Sequence, residues 1–338
     1  METKEKNFNE FTPTTRTLFF NNCSVVVSSN GLEITEGRND NKVIPHNFSK
    51  LAPAFHMQGD RLMIDNIDSK VFRFLINSSR INWRAELETG DEVADAEYFA
   101  QNRFTPYGSR LTADQQQEQV ANLMIKIYTY GYLLHNFKDD TAKCVLLANK
   151  DAHLCCLGKS LFMRILHYLQ LANIVTLDGR YGDITENNHF LNRVSSNTDI
   201  LFVDDATKNF PIETFYGKIT GQLTINPKGS QSFEIDNLFP VISSIYLPHT
   251  IGRYMHRRLI PVLFSDYYHI KEVFDDTCKY RETRCVSNDC GKILFGREYS
   301  EREYNADYNF MINCLQFYLS HQDFFEMWTM FLNQYHSK

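Results

Sequence analysis

The sequence predicts an α/β protein with a mostly parallel central sheet, flanked by helical N- and C-terminal regions, on three observations. A short apolar run, Cys144-Val145-Leu146-Leu147, is too brief for a helix and has the composition of a strand covered on both faces. Gly158-Lys159-Ser160 follows it and opens a segment in which Leu161, Phe162, Ile165, Leu166 and Leu169 share one helical face. A second apolar run, Ile200-Leu201-Phe202-Val203, then ends in the acidic pair Asp204-Asp205.

The remaining elements fit around that frame. Residues 1–50 are polar and rich in Asn, Ser and Thr, with β-rich patches at Leu18-Phe19-Phe20 and Ser24 to Val27; they are expected to form a poorly defined N-terminal segment. Residues 51–140 read as a helical N-terminal region, ending in a strongly periodic helix from Gln117 to Leu134 whose stripe is Val120, Leu123, Met124, Ile127, Tyr128 and Leu134. Residues 141–265 form the expected core. Beyond the two runs above it offers a short strand at Asn173 to Leu177 and a helix at Glu213 to Ile219. A β-hairpin follows over Gln222 to Ile235, turning at Asn226-Pro227-Lys228-Gly229, with further strands at Val241 to Tyr246 and Leu259 to Phe264. Pro261 places the last of these toward a sheet edge, because proline cannot donate to a ladder. Residues 266–338 turn helical and aromatic, with helices at Asn305 to Leu319 and Asp323 to Gln334.

Strand, loop, Gly-Lys-Ser, helix is the order of a phosphate-binding loop. Its backbone N–H groups converge on phosphate, the Lys reaches the outer oxygens, and the hydroxyl holds Mg²⁺. Gly158, Lys159 and Ser160 are the nucleotide-binding candidates, but His153 stands where the leading glycine belongs, and Cys155 and Cys156 lie between. Each non-glycine forced into a left-handed conformation costs about 1–2 kcal/mol. Micromolar binding is worth about 8 kcal/mol in all, so two such positions would weaken affinity without abolishing it. An ordinary strand–loop–helix with a surface Lys and Ser is the plainer alternative. Ligands of open parallel sheets sit at the carboxyl ends of the strands. There Asp204 is the candidate for the metal and Asp205 for orienting the attacking water. A strand running into a solvated acidic turn would look the same.

Composition bounds the rest. With 338 residues, 43% hydrophobic and 14% aromatic, the chain can bury a substantial core, and 26 Phe with 18 Tyr argue against disorder. A net charge of -6 excludes a uniformly basic polyanion binder, so any DNA contact would rest on local basic patches inside a ring or channel. No run approaches the ~20 apolar residues of a membrane span, and no C-x-x-C pair occurs among the eight cysteines. The expectation is reduced thiols in a cytoplasmic setting and no membrane.

From about Ile81 to Leu319, roughly 70% of its length, the chain resembles the superfamily 3 helicase domains of phage and mobile-element replication proteins. The pieces that carry the resemblance are INWR (Ile81 to Arg84), IYTYGYLLHNFKD (Ile127 to Asp139), GKSLF (Gly158 to Phe162) and ILFVDDA (Ile200 to Ala206). ITGQLTINPKGSQSFEI (Ile219 to Ile235), RRL with FSDYYH (Arg257 to His269), and NFMINCLQFYLS (Asn309 to Ser320) continue the order. The resemblance implies an AAA+-like P-loop ATPase using ATP and Mg²⁺, assembled as a homo-oligomeric, hexameric ring on single-stranded DNA and associated with a primase. It implies that Ser160 and Asp204 hold the metal, that Asp205 serves the water, and that Arg257 or Arg258 is an arginine finger reaching a neighbour's γ-phosphate. It further implies that Lys228 grips the DNA backbone. Two departures stand out: the glycine-poor HLCCL, and Ile245, which falls where the family places a polar Asn, with Ser243 and Ser244 nearest. A catalytically impaired ring subunit of the same fold is therefore the alternative function.

Three other groupings compete for attention. Cys278, Cys285 and Cys290 near His269 lack the tight knuckle of a zinc site. Cys155-Cys156 at a helix N-terminus could have redox chemistry. The aromatic C-terminal segment and Tyr267-Tyr268-His269 offer either stacking surfaces for bases or, at helical spacing, core.

Overall fold

The apolar runs assemble as expected into one parallel sheet. The structure is a computed structural model that describes residues 11–37, 44–150, 157–180, 191–212, 223–225, 231–235, 238–246, 258–271, 280, 282–322 and 324. The sheet contains β7 (Cys144–Asn149), β8 (Ile174–Asp178), β9 (Ile200–Ala206), β12 (Phe239–Ser244) and β13 (Leu259–Phe264), in the order β13-β7-β12-β9-β8. Every neighbouring pair is parallel. All residues of β7, β12 and β13 are buried, as strands covered on both faces must be. Pro261 lies on an edge strand, where its missing N–H leaves no ladder bond unmade.

Side chains alternate across this sheet. Val145, Leu147, Ile200, Phe202, Val241, Ile260 and Val262 point into one core. Cys144, Leu146, Leu201, Val203, Ile242 and Leu259 point into a second. The first core is closed by four helices: α1 (Lys70–Ser78), α4 (Ala113–His135), α5 (Lys159–Tyr168) and α7 (Glu301–Ser320). The second is closed by the antiparallel hairpin β10 (Leu223–Ile225) and β11 (Phe233–Ile235), together with Val194 and Phe210. The hairpin's turn, with Lys228, lies outside the described residues, as do Glu213 to Ile219 and, apart from Phe324, Asp323 to Gln334, where helices were expected.

The long helices start where their caps dictate. Thr112 with Gln115 and Ser300 with Glu303 form capping boxes at α4 and α7, each satisfying two otherwise orphaned N–H groups. The six stripe residues of α4 are all buried. Where α4 meets α7, a Cβ on Gly131 would sit 2.3 Å from the Cys314 carbonyl oxygen, so only glycine allows that crossing. Two shorter helices, α2 (Trp83–Leu87) and α3 (Glu92–Asn102), precede α4, and α6 (Val286–Cys290) precedes α7.

Near the N-terminus, β1 (Phe11–Thr12), β2 (Thr15–Phe19), β3 (Cys23–Ser28) and β4 (Gly31–Glu36) form a four-stranded antiparallel sheet that takes in the two β-rich patches. The alternation of buried Cys23, Val25 and Val27 with half-exposed Ser24 and Val26 gives this sheet one apolar face, which joins the helical core. A β-hairpin, β5 (Phe55–Gln58) and β6 (Arg61–Ile64), lies within the stretch where helices were expected. Among the described residues no helix is long and apolar enough to cross a membrane.

Candidate functional site

Because the five strands are parallel, their last residues share one edge of the sheet. Asn149, Asp178, the Asp204-Asp205-Ala206 end of β9, and Ser243-Ser244 all lie on that rim. The first turn of α5 starts there as well. Gly158 caps it with φ 94, a left-handed conformation, and a Cβ would come within 2.9 Å of the Phe74 ring. Glycine is required there on two independent grounds.

Two residues far apart in sequence meet at the rim. The Ser160 hydroxyl donates to the Asp204 carboxylate, 3.0 Å from each oxygen. β7 and β9 are not neighbours; β12 lies between them, and its Ser243 completes the cluster. Ser243 Oγ donates to Asp204 Oδ1 at 2.6 Å and accepts from the Asp205 amide at 3.0 Å. The register between β9 and β12 slips at this point, leaving two residues, Asp204 and Asp205, opposite Ser243. This is a β-bulge, and it re-aims the strand end. Asp205 takes φ 58 there and is exposed, whereas Asp204 is half-buried. Gly179 closes the other side: its amide donates to the Asp204 carbonyl at 2.6 Å, and a Cβ would meet Ala206 Cα at 2.7 Å. Beside it, hydrogen bonds from the Arg180 guanidinium and backbone amide draw the Asp178 carboxyl down to about 2.

Lys159 is buried rather than splayed on the surface, with 7% of it exposed. Its Nζ donates to Asn149 Oδ1 at 2.5 Å, spanning the mouth of the loop from the helix to the strand end. Loop residues 151–156, including His153, Cys155 and Cys156, lie outside the described residues.

The other sequence candidates are placed differently. Arg258 precedes β13, and its carbonyl accepts from the Cys144 amide at 2.8 Å, at the opposite edge of the sheet. Six strand residues at about 3.3 Å each put it about 20 Å from its own chain's rim. Arg257 lies outside the described residues, as does Lys228. Ser243, not Ile245, stands beside the acids, since β12 ends at Ser244. Ser244 turns instead to the Ala206 carbonyl at 2.8 Å. Sequence reasoning missed Asn149 altogether; the available signal was a lone amide ending an otherwise apolar run.

Of the other groupings, Cys278 and the Cys155-Cys156 pair lie outside the described residues. Both ring nitrogens of His269 face backbone carbonyls, of Asp266 and Glu282, each at 2.8 Å. Burial pushes the Cys290 thiol up to about 12. Among the described residues no cluster of three His, Cys, Asp or Glu side chains could hold a metal. Tyr267, Tyr268, Tyr308, Phe310 and Phe317 are buried in the first core, so these aromatics are packing rather than a stacking surface.

No protein-family model matches the chain, and no curated protein does. Among solved structures it is similar to two described as the A form apo structure of the NrS-1 C-terminal region, at 11% and 12% identity. The alignments cover 91% and 90% of this chain, with TM-scores of 0.35 and 0.36. The chain spans 66% of the length of each of those structures. A likeness of that size carries no weight in the argument for function.

Proposed function

We propose that the rim binds a magnesium-bound nucleoside triphosphate, ATP by the family resemblance, and hydrolyses it. The carrying observation is the Ser160–Asp204 contact, made across 44 residues of sequence at the carboxyl edge of a parallel sheet, beside a buried lysine. The donor set suits the metal: a hydroxyl and a carboxylate are hard oxygen ligands, and Mg²⁺ takes one or two such groups while phosphates and water fill the rest. When bound, the ion neutralises charge on the phosphates. Lys159 would place an ammonium against the outer phosphate oxygens, and the Gly158 conformation would turn the first N–H groups of α5 toward them. Asp205, exposed at the bulge, would orient the attacking water. Arg258, at the far edge, could serve only another copy's site, which fits the homo-oligomeric ring the resemblance implies. In that reading the chain is a helicase or translocase module of a phage or mobile-element replication protein, moving on single-stranded DNA, alongside a primase, in the cytoplasm.

One observation favours a second reading, a catalytically impaired protein of the same fold acting as a structural or DNA-binding ring subunit. The loop's HLCC stretch supplies none of the glycines that let backbone approach a phosphate. Phosphate release from Mg·ATP, with and without single-stranded DNA, separates the two. Hydrolysis predicts release that falls at least about 100-fold in Lys159→Ala, the scale of losing one charge-stabilising group. Equal rates in the two proteins would retire it.

A further inference from the structure

We infer that Asn149 is a positioning residue for Lys159, fixing the ammonium at the rim without adding negative charge there. This rests on the nucleotide reading and names the group that prepares its lysine. Lys159 is the first residue of α5, where helix dipoles already concentrate positive potential and where the first turn holds no acid. A buried ammonium at that end of a helix is held by acceptors, and Asn149 Oδ1 is one at 2.5 Å. Asn149 is itself 2% exposed and rigidly placed. It closes β7, pairs with Phe264 of β13, and the next amide, that of Lys150, donates to the Phe264 carbonyl at 3.0 Å. The acceptor is therefore anchored by the sheet, while the donor is delivered by the helix.

The chemistry of an amide in this place is specific. A carboxylate would hold the ammonium more firmly, but would put a second negative charge against the phosphates. An amide accepts the same hydrogen bond and leaves the rim's net potential unchanged. Two variants pull these properties apart. Asn149→Asp keeps shape and acceptor but adds a charge; Asn149→Ala removes the acceptor and adds none.

The test is the affinity of the full chain and both variants for Mg·ATP and Mg·ADP, with melting temperature recorded alongside. The expected result for Asn149→Ala is about three- to tenfold weaker Mg·ATP binding, the scale of ordering one long side chain, with Mg·ADP less affected because the ammonium is placed for the outer phosphate. For Asn149→Asp, Mg·ATP binding should be on the order of 100-fold weaker, by Coulomb's law at an effective dielectric constant of ~20. A loss that is larger for the triphosphate and grows with the added charge is the signature of positioning. Equal weakening of both variants toward both nucleotides, in step with their melting temperatures, would reduce Asn149 to packing and overturn the inference while the nucleotide reading stands. Absence of Mg·ATP binding by the unaltered chain would overturn both.

Discussion

Asp307 and Asp204 each accept a hydrogen bond from a serine, and their surroundings are opposite. Asp307 lies within the helical frame, fully buried, accepting from Ser69 Oγ at 2.7 Å, the Val71 amide at 3.1 Å and the Tyr299 hydroxyl. It anchors the start of α1, whose Phe74 packs against Gly158. Asp204 lies at the rim, half-buried, held by two hydroxyls on separate elements. The contrast separates structure from chemistry. A carboxylate committed to the fold is dried out and satisfied by fixed donors, whereas the one proposed to meet a cation stays half-exposed and accepts from hydroxyls on two elements. The frame holds a further dry pair, Arg80 and Glu86, whose side chains are both 0% exposed and 2.8 Å apart.

The largest effect that would break this contrast is expected in that pair. Glu86→Gln leaves the Arg80 guanidinium buried without its counter-charge, and should lower the unfolding free energy by about 3–5 kcal/mol in denaturant titrations. A loss under about 1 kcal/mol, the worth of an exposed pair, would mean that water reaches the frame and that the two regions do not differ.

Asp307 gives the next effect, through pH. Burial outweighs its hydrogen-bond donors and raises its carboxyl to about 6, against about 4 for an unfolded chain. The folded protein therefore keeps a proton that the unfolded chain releases. The stability this contributes is full below pH ~4 and is lost as pH rises through ~6, an effect of at most about 3 kcal/mol. Asp307→Asn should flatten the stability profile across that interval. An unchanged slope would place the titration elsewhere.

The smallest effect sharpens the rim's side of the comparison. Ser243→Ala removes one donor from Asp204 and the acceptor of the Asp205 amide, at a cost of about 1 kcal/mol in stability. With the bulge loosened, phosphate release should fall further than Mg·ATP affinity does. Equal falls in both would make Ser243 a ligand-binding group rather than the clamp of the bulge.

How much of this was legible in the sequence depends on the range of the interaction. The parallel core was readable, because strands covered on both faces need unbroken apolar runs and β7, β9 and β13 have them. The placement of Lys159, Ser160 and Asp204 at one sheet rim was readable because the strand–loop–helix order and an acid-tipped strand are local patterns. The N-terminal sheet was half-readable: its apolar patches were visible, but a meander's pairing is settled by the face it buries. Asn305, Asn309 and Asn313 were not readable as a unit. Spaced four apart on one face of α7, they accept from the amides of Ser49, Leu51, Ala54 and Phe55 and clip an extended strap to the helix. Polar residues at helical spacing look like a solvated face until a partner chain segment is known. Ser243 was undervalued for a similar reason, since only the register slip between β9 and β12 shows which acids it faces.

Calorimetric titration of the full chain and of Ser160→Ala with ATP, with and without Mg²⁺, bears most directly on the rim. The substitution leaves the core untouched, because Ser160 is only half-buried and bonds to Asp204 alone among the hydrogen bonds described. Binding that Mg²⁺ strengthens in the unaltered chain, and that weakens about tenfold or more in Ser160→Ala only when Mg²⁺ is present, is the predicted result, matching the ~1.4 kcal/mol of one lost charge-assisted contact. Binding indifferent to Mg²⁺ or identical in the two proteins, or no binding at all, would contradict it.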